Sequence, residues 1–152
     1  MTRIRGMRLS MYLDVGIIEE IQRLAQQYHT TSSQVARALI RAGIRVINEG
    51  GIKIMGGLLG FERPFIEVRF KGLTGKKRRF GVRLGSVADE VNNVIRPGET
   101  VSGCAISLLH LGLIAHEPES FELTGPIGRH RRLAEPDVPK VDTEAILREE
   151  QS

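Results

Sequence analysis

Residues 7–14, Met-Arg-Leu-Ser-Met-Tyr-Leu-Asp, pass from a strand pattern to a helix start within a few positions, and this junction constrains the rest of the chain. Met7, Leu9, Met11 and Leu13 alternate with Arg8, Ser10 and Tyr12, the period of two expected when one strand face is buried and the other is free. The free face is polar. Asp14 fits an N-cap, its carboxylate placed to accept from the orphan amides of the next turn. A single strand leaves unpaired edges, so the pattern demands a partner strand.

Beyond Asp14, Ile17, Ile18, Ile21, Leu24, Ala25 and Tyr28 fall at helical spacing, which predicts an amphipathic helix of about four turns. His29, Thr30 and Thr31 interrupt it. Thr31 followed by Gln34 is a capping box for a second helix. Val35, Ala36, Leu39, Ile40, Gly43, Ile44 and Ile47 form its buried stripe, and Asn48 to Gly51 have the composition of a C-cap and turn.

Strand, helix, short turn, helix resembles the ribbon-helix-helix family of DNA-binding proteins, the Arc, MetJ and CopG group, over residues 5–47. The resemblance places Arg8, Ser10 and Tyr12 at groove-facing strand positions, and Leu9, Met11 and Leu13 at core-facing ones. It places Thr31, Ser32 and Ser33 at the helix start that holds a DNA phosphate. The same site follows independently from the free N–H groups and positive dipole end of a helix N-terminus. In this family two such strands pair into an antiparallel ribbon that enters the major groove.

A second copy within the chain is expected. Phe80, Val82 and Leu84 alternate with Arg79, Gly81 and Arg83, and Ser86 with Asp89 offers a capping box. Val87, Val91, Val94 and Ile95 follow at helical spacing until Pro97 and Gly98 stop the helix. Thr100 can cap a further helix with the stripe Cys104, Ala105, Leu108, Leu109, Gly112 and Leu113. The run 108–113 parallels 39–44 with glycine in the same place, which an internal repeat explains. This copy departs from the family pattern in its shorter first helix, in Gly81 at mid-strand and in Gly85 at the cap position. A tandem of this kind is similar in architecture to the TraY-like conjugative-plasmid proteins.

The expected organisation is therefore α+β, mainly helical, with two ribbon-helix-helix units pairing as a pseudo-dimer. The first unit is residues 1–51, a basic connector with a possible β-hairpin is 52–78, the second unit is 79–117, and a flexible tail is 118–152. Residues 52–61 are apolar and Gly-rich and read as a buried connector. Residues 65–70 alternate and suggest a hairpin onto the second ribbon strand. Nine basic against two acidic side chains give residues 52–85 a net charge of +7, against +4 for the whole chain. The tail is Pro-rich with few apolar anchors, and its helix-forming end near Asp142 or Thr143 is too short to be stable without a partner.

Composition narrows the function classes. A hydrophobic content of 41% with 5% aromatics and no Trp suits small helical packing better than a large enzyme cleft. Cys104 is the single cysteine, so no intrachain disulfide forms, and the chain reads as cytoplasmic. No apolar run approaches a membrane span, and residues 1–6 lack a signal-peptide core. His29, His110, His116 and His130 share no ligand spacing with Cys104, which reads as a core residue. Gly56, Gly57 and Gly60 make neither a dinucleotide fingerprint nor a P-loop. No nucleophile, base and orienter assemble, so neither catalysis nor a metal or other cofactor is expected.

The expected partner is double-stranded DNA. Arg8, Ser10, Tyr12, Arg79, Gly81 and Arg83 are the candidates to face bases, with Arg bidentate to guanine and Tyr against a thymine methyl or sugar. Thr31, Ser32, Ser33, Thr100, Ser102, Gly103, Lys76, Lys77 and Arg78 are the candidates to contact phosphates. Chains can also self-associate on neighbouring subsites. The role is transcriptional repression or, on the tandem resemblance, accessory work in plasmid transfer. Two alternatives stay open: an antitoxin whose tail folds on a toxin, and a DNA domain limited to residues 1–51 with a β-containing effector or oligomerisation domain over 52–117.

Overall fold

A computed structural model describes residues 8–50, 52–55, 58–61, 65–95, 97–117, 119, 121–124 and 141–151. Gly56, Gly57, His130 and the Pro-rich stretch 125–140 singled out in the sequence lie outside these described residues. The described part is α+β and mainly helical. Strand β1, Arg8–Asp14, passes directly into helix α1, Val15–Gln27. The expected cap is present, with the Gly16 amide donating to Asp14 Oδ1 at 2.8 Å. Helix α1 buries Ile17, Ile18, Ile21, Leu24 and Ala25, the stripe read from its spacing. His29 makes the turn with a φ of 53°. The Gln34 amide then donates to Thr31 Oγ1 at 3.2 Å while the Thr31 amide donates to Gln34 Oε1 at 3.4 Å, a reciprocal capping box that opens helix α2, Ser32–Gly50.

The chain next forms strands β2, Ile52–Met55, β3, Leu58–Phe61, and β4, Phe65–Phe70. Strands β2 and β3 pair antiparallel, so the stretch read as a buried connector contributes two strands to a sheet. Strand β5, Lys77–Arg83, starts two residues earlier than the alternation from Arg79 suggested. The expected β4–β5 hairpin does not form. The turn after Phe70 carries the chain out of one sheet, and β5 pairs antiparallel with β1. The other sheet has the order β2-β3-β4-β6, closed by β6, Phe121–Thr124, against β4.

Helix α3, Val87–Val94, starts differently from the expected capping box. Ser86 has helical dihedrals, φ −64° and ψ −20°, and makes no side-chain cap bond. Backbone carbonyls replace it. Val87 N donates to Leu84 O at 3.1 Å and Ala88 N to Gly85 O at 3.2 Å, a turn that Gly85 permits with a φ of 57°. The Ser86 hydroxyl instead accepts from Arg41 Nη2 at 3.2 Å, beside an Arg41–Glu90 ion pair of 3.0 Å, and so ties α3 to α2.

Helix α4, Val101–His116, carries the expected cap, with Gly103 N donating to Thr100 Oγ1 at 3.0 Å. Its burial is wider than one stripe. Leu111 and Ile114 are buried along with Cys104, Ala105, Leu108, Leu109, Gly112 and Leu113, because α4 packs against α2, α3, β1 and the last helix. The α2–α4 crossing is the centre of the core. A Cβ on Gly43 would sit 2.1 Å from the Leu108 carbonyl oxygen, and one on Gly112 would sit 1.9 Å from that of Leu39. Glycine at both places lets the two backbones touch.

Within the segment expected to be a flexible tail, β6 and a further helix are formed. Helix α5, Thr143–Gln151, buries Ile146 and Leu147 against α2, and Asp142 Oδ1 caps it by accepting from Ala145 N at 3.0 Å. This packing supplies the partner that so short a helix needs. At its edges the Tyr28 hydroxyl donates to Glu144 at 2.9 Å, and Arg45 pairs with Glu149 at 3.4 Å.

Candidate nucleic-acid interface

Register decides which side chains share a face of the two-stranded ribbon. Arg8 lies opposite Arg83, Ser10 opposite Gly81 and Tyr12 opposite Arg79. Residues directly opposite in an antiparallel pair project to the same side. All six sequence candidates for base contact therefore stand on one face. On the other face Met11, Leu13 and Val82 are buried, with Leu9 and Phe80 packed against the same core. That burial fixes register, because a slip of one residue would turn the apolar row outward.

The outer face has its own order. Arg79 Nε donates to Ser10 Oγ at 3.0 Å, across the diagonal of the ladder. Arg8 crosses the other diagonal, its Cδ 2.9 Å from where a Gly81 Cβ would stand. Tyr12 is 63% exposed, a large ring left in solvent at the edge of a cationic surface. Arg8, Arg79 and Arg83 are exposed with it.

Asp14, in register with this face, turns its carboxylate inward and is buried. Besides capping α1 it accepts from Thr74 N at 2.9 Å, Thr74 Oγ1 at 3.0 Å and Gly75 N at 2.9 Å. Burial pushes the carboxyl up, but these hydrogen bonds outweigh it and hold it below its ordinary value. The Val15 amide donates to Lys76 O at 2.8 Å. A Cβ on Gly16 would sit 2.0 Å from Gly72 O, so the glycine admits the turn against the start of α1. The clasp fixes where the basic segment enters the ribbon.

Lys76, Lys77 and Arg78 are exposed but do not act as one loop. Lys77 is opposite Asp14 on the outer-face register, whereas Arg78 is opposite Leu13 on the core-facing one. At the start of α2, Thr31 is exposed and Ser32 and Ser33 are half-buried. At the start of α4 two expected phosphate contacts are already engaged. The Gly103 amide is held by Thr100, and the Ser102 hydroxyl donates to Ser10 O at 3.1 Å. Ser102 thereby joins α4 to β1, and Arg37 Nη1, donating to Arg83 O at 3.0 Å, joins α2 to β5. Each long helix thus grips the ribbon strand that precedes the other long helix in the chain.

Two titratable groups on α4 are shifted toward neutrality. Burial pushes the Cys104 thiol up to about 11, with Glu99 adding to it, in keeping with a packing role. Burial, reinforced by Lys77, pushes His110 down to about 4. Among the described residues no helix is long and apolar enough to cross a membrane. Comparison with protein-family models, with curated proteins and with solved structures gave no match.

The Asp14–Thr74 clasp, the Ser10–Arg79 bond and the docking of α5 were not read from the sequence. Thr74-Gly75 after an Asp cap is too common a pair to single out. The diagonal contact depends on register, which alternation alone leaves undetermined.

Proposed function

We propose that the chain binds double-stranded DNA in a sequence-specific way, with β1 and β5 as a reading ribbon in the major groove. In this reading the chain holds two ribbon-helix-helix units, β1-α1-α2 and β5-α3-α4, that form a pseudo-dimer. The observation that carries it is the β1–β5 pairing, which gathers Arg8, Ser10, Tyr12, Arg79, Gly81 and Arg83 on one exposed face. A two-stranded ribbon fits the major groove, and Arg with Ser and Tyr can bond base edges there. Lys76 and Lys77 add phosphate attraction beside it. The reciprocal Gly43–Leu108 and Gly112–Leu39 contacts support equivalence of the two halves. Non-identical strands imply an asymmetric site. Repression of transcription and accessory work in plasmid transfer both suit such a protein.

The antitoxin reading has less support, because the helical end of the tail packs on the chain's own α2. Selection of bound duplexes from a random pool, with the mass of the complex measured, tests the proposal. It expects an asymmetric motif and a single chain as the smallest reading unit. Retention of every sequence alike would count against it.

A further inference from the structure

Two of the three outer-face arginines of the ribbon, Arg8 and Arg79, are placed alike and held differently. Each crosses a diagonal of the ladder to lie over the central residue of the opposite strand, Arg79 over Ser10 and Arg8 over Gly81. Ser10 and Gly81 are themselves opposite one another, so the two arrangements are related by an approximate two-fold axis through the middle of the ribbon. They differ by one hydroxymethyl group. Arg79 Nε is engaged at 3.0 Å by Ser10 Oγ, whereas among the described residues the Arg8 guanidinium has no hydrogen-bond partner. A guanidinium can approach guanine O6 and N7 with its Nε edge or with its two terminal nitrogens. Engaging Nε removes the first choice for Arg79, fixes the plane of the group and leaves the terminal pair free. Arg8 keeps both choices and its full rotamer freedom, so it must be ordered on binding.

We propose that Ser10 is a positioning residue that acts through Arg79, so that the half-site under Arg79 is read strictly and the half-site under Arg8 loosely. This inference rests on the reading of the ribbon as a base-contacting surface. It also predicts a gain. At Gly81 the nearest atoms to a new Cβ are the flexible Cγ, Cδ and Nε of Arg8, at 2.9 to 3.2 Å, so a serine there places a hydroxyl within reach of Nε. Gly81→Ser should give Arg8 the restraint that Arg79 already has.

The test is selection from a random duplex pool, followed by affinities for single-base variants of the selected site. It uses the full-length chain as wild type, Ser10→Ala, Ser10→Thr, Gly81→Ser, Arg8→Ala and Arg79→Ala. Thermal unfolding of each variant confirms that it folds. Ser10→Ala is expected to reduce discrimination at the Arg79 position by about tenfold, within the range of one bidentate contact. Ser10→Thr should restore it, and the Arg8 position should not change. Gly81→Ser should sharpen the Arg8 position and make the motif more nearly palindromic. If Gly81→Ser fails to fold, the Ser10 variants decide. If Ser10→Ala alters only the base beneath Ser10 while Arg79→Ala still relaxes its own position, the positioning role is overturned and base reading stands. If neither arginine variant relaxes any position, base reading falls and this inference with it.

Discussion

Gly43 and Gly112 are each seated on the carbonyl four residues before the other, Gly43 against Leu108 and Gly112 against Leu39. In an α-helix that carbonyl accepts the amide of the residue four later, so each glycine abuts the backbone hydrogen bond of its counterpart. The contact is with backbone, which cannot rotate away. Gly43→Ala and Gly112→Ala are each expected to destabilise the fold by about 3 kcal/mol or more, at the upper end of overpacking costs. Urea unfolding measures it. Because both substitutions act on one crossing, the double variant should lose less than the sum.

Asp14 joins three pieces of chain, the end of β1, the start of α1 and the turn before β5. Asp14→Ala removes a helix cap and strands the Thr74 and Gly75 donors, with an expected loss of about 2 kcal/mol or more. A carboxyl held below its ordinary value of 3.8 stabilises the fold above that pH and loses the contribution as pH falls through the lower folded value. Acid unfolding of the wild type should therefore steepen below about pH 4. In Asp14→Asn this component should vanish.

His110 has the opposite consequence. Its folded value of about 4 lies below the ordinary 6.5, so the unfolded chain binds the proton first as pH drops. Stability is complete above about pH 6.5 and declines between there and pH 4, by on the order of 3 kcal/mol. Denaturant midpoints between pH 7 and 4.5 check this. His110→Gln should flatten the profile across that window.

Ile146 and Leu147 anchor α5 on α2, with 0% and 2% of their surfaces exposed. Ile146→Ala should cost about 2–4 kcal/mol, the usual range for a fully buried aliphatic. If the end of the chain were an unattached tail, the unfolding midpoint would not move. Amide exchange over residues 143–151 should show protection in the wild type and lose it in the variant.

These particulars show where local pattern suffices. Met11, Leu13, Phe80 and Val82 alternate strongly enough to identify both ribbon strands, and Asp14, Thr31 and Thr100 mark helix starts because a cap is a short-range interaction. Ser86 has the same sequence credentials, yet Gly85 turns the backbone so that carbonyls satisfy the first amides of α3. The pairing of β4 with β6 joins segments separated by β5, α3 and α4, so the alternation over 65–70 could not name its partner. The width of the α4 core could not be seen either, since Leu111 and Ile114 are buried by elements that arrive from elsewhere in the chain. For the candidate interface, alternation identified the face, and the fold added how Ser10, Arg79, Arg8 and Gly81 are arranged on it.

The central claim is that the β1–β5 face distinguishes one DNA sequence from another. Its most direct measurement is the ratio of affinities for a selected duplex and a scrambled one, at fixed salt, for wild type and the Arg8→Ala, Arg79→Ala double variant. Under the proposed function, loss of these two arginines should weaken the selected site by about a hundredfold or more, and the scrambled duplex only by the few-fold that two surface charges contribute. The ratio should then collapse toward unity. Equal loss on both duplexes would contradict the account, because it would mean that these arginines attract DNA without reading it.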